Sequence, residues 1–282
     1  MAKGRLRIAT CQFAVSGSVG RNGRAIRGYM EQAKAGGAEL VHFSECALCG
    51  YAGADHESLA GFDWARLRAE TEAIRELTGR LRLWMVLGSM HYITEGIKPH
   101  NCLYLIDPRG RIAGRYDKRF CMERDLAHYS PGDHFAVFEI NGVRCGLLIC
   151  YDLRFPEIYR ALKRRKVACV IQSFYNARQP GRTVHADIMQ PTMQCRAATN
   201  YFWISMANSS AYYAAYASCF IRPDGKIVEK LKLHRAGMMI NTVDTDQSFY
   251  DASGPFRVSA MRGTLHSGKT IAHTRSKRRT II

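Results

Sequence analysis

Short apolar, β-branched runs alternate with stretches of helical period along almost the whole chain, and this alternation limits the fold more than any other feature. Leu6–Phe13 (LRIATCQF), Ala38–Phe43 (AELVHF), Leu83–Ser89 (LWMVLGS) and Val167–Ser173 (VACVIQS) read as strands. Between them, Asn22–Ala35, Trp64–Arg80, Phe155–Arg165 and His185–Thr199 repeat their apolar residues at helical spacing. Hairpins are inserted into this pattern. Asn101–Ile106 and Ile112–Tyr116 flank Asp107-Pro108-Arg109-Gly110; Phe135–Ile140 and Val143–Ile149 flank Asn141-Gly142, a strong two-residue hairpin signal. Tyr201–Ala207, a hairpin around Pro223-Asp224-Gly225, and Gly237–Val243 complete the set. Strands alternating with helices, plus hairpins, predict a layered α/β domain with helices over both sheet faces. Apolar residues make up 47% of the 282 residues, enough for one large core.

In such a fold, polar residues at the tips of buried strands point into a cleft and are held rigidly. Three tips qualify. Ala38–Phe43 ends at Ser44-Glu45, the hairpin strand ending at Tyr116 runs into Asp117-Lys118, and Val143–Ile149 delivers Cys150. A carboxylate, an ammonium and a thiol form a workable set: the carboxylate takes the thiol proton, the thiolate attacks a carbonyl, and the ammonium steadies the oxyanion. Singly, each has a plainer reading as a small buried residue, a solvent-facing acid or a turn lysine.

The words around them carry more. Phe43-Ser44-Glu45 leading to Gly50-Tyr51, Tyr116-Asp117-Lys118-Arg119, and Gly146-Leu147-Leu148-Ile149-Cys150-Tyr151-Asp152-Leu153-Arg154-Phe155-Pro156-Glu157 stand in one order. With Ala9-Thr10-Cys11-Gln12 and Arg196-Ala197-Ala198-Thr199-Asn200, they resemble the nitrilase superfamily of carbon–nitrogen hydrolases over about residues 6 to 245. The resemblance implies a four-layer αββα sandwich, in a hydrolase domain over 1–260 followed by a basic tail over 261–282. It implies Glu45 as general base, Lys118 as oxyanion stabiliser and Cys150 as nucleophile, with no metal or other cofactor. A second acid often follows the lysine in this family; Glu123 is favoured here over Asp125. Tyr51, Tyr151, Arg154, Phe174 and Asn176 are expected around the substrate, with Ser173 to Arg178 along the pocket wall. Two departures stand out. Ser44 replaces the usual proline before the glutamate, which should alter the turn more than the chemistry, and Thr199 replaces an acid common in relatives, which bears on the pocket or interface near the last long helix.

The wording after Cys150 is closer to the amidase and carbamoyl-cleaving branches than to true nitrilases, whose nucleophile is generally followed by tryptophan. The expected substrate is therefore a linear amide or N-carbamoyl amine, with a nitrile as the alternative within the family. The formal charge of +17 offers an alternative of another class, nucleic-acid binding, but charge alone is an unspecific signal and nucleic acid is not the expected partner. Arg160, Lys163, Arg164, Arg165 and Lys166, with the acid-free stretch from Arg262 to Ile282, account for much of the excess. Most of the ten cysteines sit in apolar runs and read as buried free thiols of a reduced, cytoplasmic protein. Cys46-Ala47-Leu48-Cys49 has metal-ligand spacing but no second pair, so it is not expected to bind zinc. No run approaches the roughly 20 apolar residues of a membrane span. The family precedent implies a homodimer or larger homo-oligomer.

Overall fold

The structure is a computed structural model and describes residues 4–176, 181–280 and 282. In chain order the first half runs β1 (Arg5–Gln12), α1 (Val19–Ala35), β2 (Leu40–His42), α2 (Trp64–Leu81), β3 (Trp84–His91), β4 (His100–Ile106) and β5 (Ile112–Asp117). The second half runs β6 (Val137–Ile140), β7 (Val143–Ile149), α3 (Pro156–Arg164), β8 (Cys169–Ser173), α4 (His185–Asn200), β9 (Trp203–Ala207), β10 (Cys219–Ile221), β11 (Ile227–Lys230) and β12 (Gly237–Asp244). Two short helices follow, α5 (Gly254–Met261) and α6 (Thr274–Lys277).

These strands form two six-stranded mixed sheets, ordered β12-β1-β2-β3-β4-β5 and β11-β10-β9-β8-β7-β6. Each is built around three parallel strands joined by two helical crossovers: β1, β2 and β3 in one, β7, β8 and β9 in the other. Parallel strands covered on both faces explain the near-continuous apolar runs of the sequence. Leu6, Ile8, Leu40, Val86 and Leu103 share one core with Cys145, Leu147, Ile149 and Ile204 of the second sheet. Their neighbours Ala9, Val41, Met85 and Leu87 turn the other way and pack with Ile26, Met30, Leu67 and Ile74 of α1 and α2. With α3 and α4 over the second sheet, the result is the expected αββα sandwich.

Local chemistry sets the boundaries. Ser18 and Asp63 cap α1 and α2 by accepting from Arg21 N–H and Arg66 N–H. The buried Glu70 of α2 pairs with Arg66 on its own helix and with Arg27 of α1, which ties the two helices together. Asn141 and Gly142 take φ of +50° and +77°, the left-handed pair a tight hairpin turn requires. The helix α5 is not anticipated from the sequence, where Gly254-Pro255 and a weak apolar period conceal it. Among the described residues no helix is long and apolar enough to cross a membrane.

Candidate active site

Glu45 is placed by a turn that crosses β3 directly after β2. Leu48 N–H donates to Gly88 O (3.0 Å), and a Cβ on Gly88 would stand 2.0 Å from Ser44 O and 2.9 Å from Cys46 N. Only glycine lets the turn lie this close to the sheet. Gly88→Ala is therefore expected to push the turn outward, costing about 1–3 kcal/mol by overpacking and about 10²-fold in kcat by misplacing Glu45; denaturant unfolding and steady-state kinetics would check the two effects. Within the turn Glu45 is wholly buried. Its Oε1 accepts from Asn101 Nδ2 (2.7 Å) and Lys118 Nζ (2.9 Å), and its Oε2 from Tyr175 N–H (2.9 Å). Burial pushes this carboxyl above the usual carboxylate range, with nearby Asp125 adding to the shift and Lys118 opposing it.

Lys118, also wholly buried, uses all three of its N–H donors: on Glu45 Oε1, on Asp125 Oδ2 (2.9 Å) and on Tyr51 Oη (3.1 Å). Tyr51 in turn donates to Asp125 Oδ1 (2.8 Å). Burial works against the ammonium, but Glu45 and the other anions around it hold its pKa well above the ordinary value. Of the two acids after the lysine, the structure brings the buried Asp125 to it and leaves Glu123 exposed at the surface. A tight 3-10 turn, Asp125–Ala127, begins at the aspartate, and Met122 N–H donating to Asp125 Oδ2 (3.2 Å) turns it inward.

Cys150 stands at the tip of β7 on the second sheet, partly exposed and with φ of +37°, a left-handed conformation that costs a non-glycine residue energy. A single 3-10 turn, Cys150–Arg154, follows. The strained turn is held by Asp152, whose Oδ2 accepts from Ile149 N–H (2.9 Å) and Tyr116 Oη–H (2.8 Å) and whose Oδ1 accepts from Phe120 N–H (3.1 Å). Because Tyr116 and Phe120 bracket Lys118, this carboxylate links the thiol's turn to the lysine's. The thiol itself is pushed above its ordinary range by burial and then by Glu45, while Lys118 and Tyr175 N–H pull it down. It is therefore a neutral thiol at rest, beside a carboxylate with raised proton affinity.

Burial pushes the Asp152 carboxyl up to about 6. The folded state thus binds this proton more tightly than the unfolded chain, so the group's contribution to stability is greatest at low pH and declines as pH rises through that value. The stability of the native protein relative to Asp152→Asn should fall by about 3 kcal/mol from below about pH 3 to above about pH 7, most of it between about pH 4 and 6. Paired denaturant unfolding curves would show it.

The remaining expected residues divide. Tyr51 belongs to the lysine's hydrogen-bond set, and Phe174 is fully buried, its carbonyl accepting Glu45 N–H (3.2 Å) and its ring edge-on to Tyr216. Tyr151 and Arg154 are partly exposed beside Cys150, and Arg154 Nη2 lies 3.3 Å from His185 Nδ1. Asn176 is partly exposed, its N–H donating to Asn208 Oδ1 (3.2 Å) and its Oδ1 accepting from Ala215 N–H (2.5 Å). Ala177 and Arg178 lie outside the described residues. Thr199 is half-buried near the end of α4, where its carbonyl accepts from Arg160 and Arg257. Cys46 and Cys49 are buried thiols within the Glu45 turn. Sequence reasoning missed Asn101, the Tyr175 amide and Asp152; the only signal for Asn101 was a polar residue opening a buried strand.

A family model described as carbon–nitrogen hydrolase matches residues 7–248. The chain is 29% identical over 219 residues to a hydrolase in the agr operon of Staphylococcus lugdunensis, covering 74% of this chain and 88% of that protein. It is 32% identical over 179 residues to an (R)-stereoselective amidase of a Pseudomonas species (62% and 60%), and 24% identical over 245 residues to the human omega-amidase (79% and 83%). Among solved structures, it superposes on a variant of the amidase from Nesterenkonia sp. AN1 with a TM-score of 0.77 at 21% identity, over 93% of this chain and 98% of that one. In that protein the acetamide moiety of fluoroacetamide is attached to the active-site cysteine.

Proposed function

The chain belongs to the carbon–nitrogen hydrolase family, and from that premise we propose that it is a cysteine-dependent amidase in which Cys150 is the nucleophile. The observation that carries this reading is the buried Glu45–Lys118–Asp125 set, with Cys150 at a strained strand tip within electrostatic reach of all three. Glu45 takes the thiol proton as Sγ attacks the carbonyl carbon of a linear amide or N-carbamoyl amine. The oxyanion is met by Lys118 Nζ and by the Tyr151 N–H. Of the ammonium's three partners only Tyr51 is neutral, at the longest distance, so that bond is the one exchanged for the oxyanion. The C–N bond breaks as protonated Glu45 returns its proton to the nitrogen, ammonia or an amine leaves, and a thioester remains. Glu45 then deprotonates water, which attacks the thioester and frees the acid and the thiol.

Asp125, in place of Glu123, serves as the second acid, holding Lys118 and Tyr51 in position. Tyr151, Arg154 and Asn176 line the substrate's approach, with Arg154 suited to a carboxylate on the substrate. The same reading carries a homodimer formed through helices beside the site. Ten free cysteines support a reducing, cytoplasmic setting.

Ammonia release over a panel of small amides, N-carbamoyl amines and nitriles, with Cys150→Ala as control, tests the proposal. Release from amides or carbamoyl compounds by the wild type alone is expected. Release from nitriles alone would move the activity to the nitrile branch, and equal release by Cys150→Ala would refute the cysteine's role.

A further inference from the structure

Directly below the site the two sheets are joined by a line of polar side chains. His42 of β2 is fully buried, with Nδ1 2.8 Å from Ser205 Oγ on β9 and Nε2 2.9 Å from Ser173 Oγ on β8. Thr10 Oγ1 of β1 lies 2.7 Å from Ser205 Oγ, and Ser173 Oγ–H donates to Phe43 O (2.8 Å). Proton counting fixes the direction of the line. Ser173 has one hydroxyl proton and gives it to Phe43 O, so His42 Nε2 must carry a hydrogen and donate to Ser173. Burial lowers the imidazole pKa to about 3, so the ring holds a single proton and Nδ1 is an acceptor. Ser205 therefore donates to Nδ1, and Thr10 donates to Ser205. The whole line runs from Thr10 through Ser205, His42 and Ser173 to Phe43 O, with each of its hydroxyl and ring protons placed.

The ends of this line are the roots of the catalytic groups. Phe43 precedes Glu45 by two residues and Ser173 precedes Tyr175 by two. Glu45, Asn101 and Lys118 come from one sheet, whereas Cys150 and the Tyr175 amide come from the other, so the spacing between base and thiol is an inter-sheet spacing. We propose that His42 is a positioning residue, an inter-sheet clamp that with Ser173 holds Glu45 in register with Cys150 and Tyr175. The inference rests on the reading of Glu45 as base and Cys150 as nucleophile. A slip of one sheet on the other would impair proton removal from the thiol more than the seating of a substrate. The plainer account, a histidine satisfied within a core, makes a different prediction: stability falls, and activity declines only with the folded fraction.

The test uses the full chain with His42→Leu, His42→Gln, Ser173→Ala and Glu45→Gln. Glutamine retains an N–H close to the position of Nε2. Three readouts are needed: kcat and KM on an amide that the enzyme turns over, the rate at which iodoacetamide alkylates the Cys150 peptide, and 15N NMR of the histidine rings. In folded His42→Leu, kcat and the alkylation rate should each fall about 10²-fold with KM within about threefold. His42→Gln should regain about tenfold of that loss, because a restored donor re-forms the link. The His42 ring should report a hydrogen on Nε2 and no titration between about pH 5 and 8. If His42→Leu does not fold, His42→Gln and Ser173→Ala decide: Ser173→Ala should show the same kcat loss at unchanged KM. Wild-type kcat and alkylation in folded His42→Leu or Ser173→Ala, or equal losses in leucine and glutamine variants that track only the folded fraction, would overturn the clamp. Alkylation indifferent to Glu45→Gln would instead indict the assignment of the base.

Discussion

Replacing Cys150 with alanine should lower turnover by about 10⁴- to 10⁶-fold, the scale seen when a covalent nucleophile is removed, while the fold survives. The substitution deletes only a sulfur and leaves the left-handed strain at φ of +37° unchanged. Asp152 still pins the turn from both of its oxygens. Circular dichroism and unfolding midpoints should therefore match the native protein within experimental spread. Cys195→Ala supplies the contrast: that thiol is exposed on α4, away from the strand tips, and its loss should leave kcat unchanged. Comparable losses in both variants would mean that the thiol chemistry lies elsewhere.

Lys118→Met has the second large effect, and it combines stability with activity. The ammonium compensates two buried carboxylates, Glu45 and Asp125, each with at most 1% of its side chain exposed. Removing one partner of a buried ion pair leaves charge uncompensated in a low-dielectric site, at a cost of about 3–5 kcal/mol. Glu45, whose carboxyl burial already pushes above the usual range, then takes up a proton, so the variant should regain part of its stability on acidification from about pH 7 to 5, because a raised carboxyl pKa makes protonation favour the folded state. Turnover should vanish at every pH, since oxyanion stabilisation is lost with the ammonium. Adding Asp125→Asn should restore part of the stability and none of the turnover. A Lys118→Met protein of native stability and undiminished kcat would contradict the buried network.

Much of this was legible in the sequence because strand tips and hairpins are local. The Asn141-Gly142 turn, the apolar runs of β1, β3 and β8, and the words around Glu45, Lys118 and Cys150 each fall within a dozen consecutive residues. What escaped depends on distant parts of the chain. Glu123 and Asp125 are two residues apart in one loop, and nothing local says which faces inward; the choice is made by Lys118 at the start of that loop and by Tyr51, which reaches Asp125 from 74 residues earlier in the chain. Asn101 meets Glu45 from two strands away in the same sheet, and Tyr175 meets it only after the two sheets have stacked, through a backbone amide that has no sequence signature. His42 reads in sequence as one more residue of an apolar strand. Its partners Ser173 and Ser205 lie 131 and 163 residues away. Gly88 is similar: its need for no side chain arises from a turn more than forty positions earlier, a contact visible only in three dimensions.

The thioester on Cys150 is the central claim, and trapping it is the most direct measurement. The enzyme would be mixed with an amide it turns over, quenched in acid during the steady state, digested, and its cysteine peptides weighed. The account predicts that the peptide containing Cys150 gains the mass of the acyl group, that the gain disappears when substrate is exhausted, and that no other cysteine peptide shifts. Unmodified Cys150 during turnover in a quench fast enough to catch a slow deacylation, or an acyl group found on another residue, would contradict it.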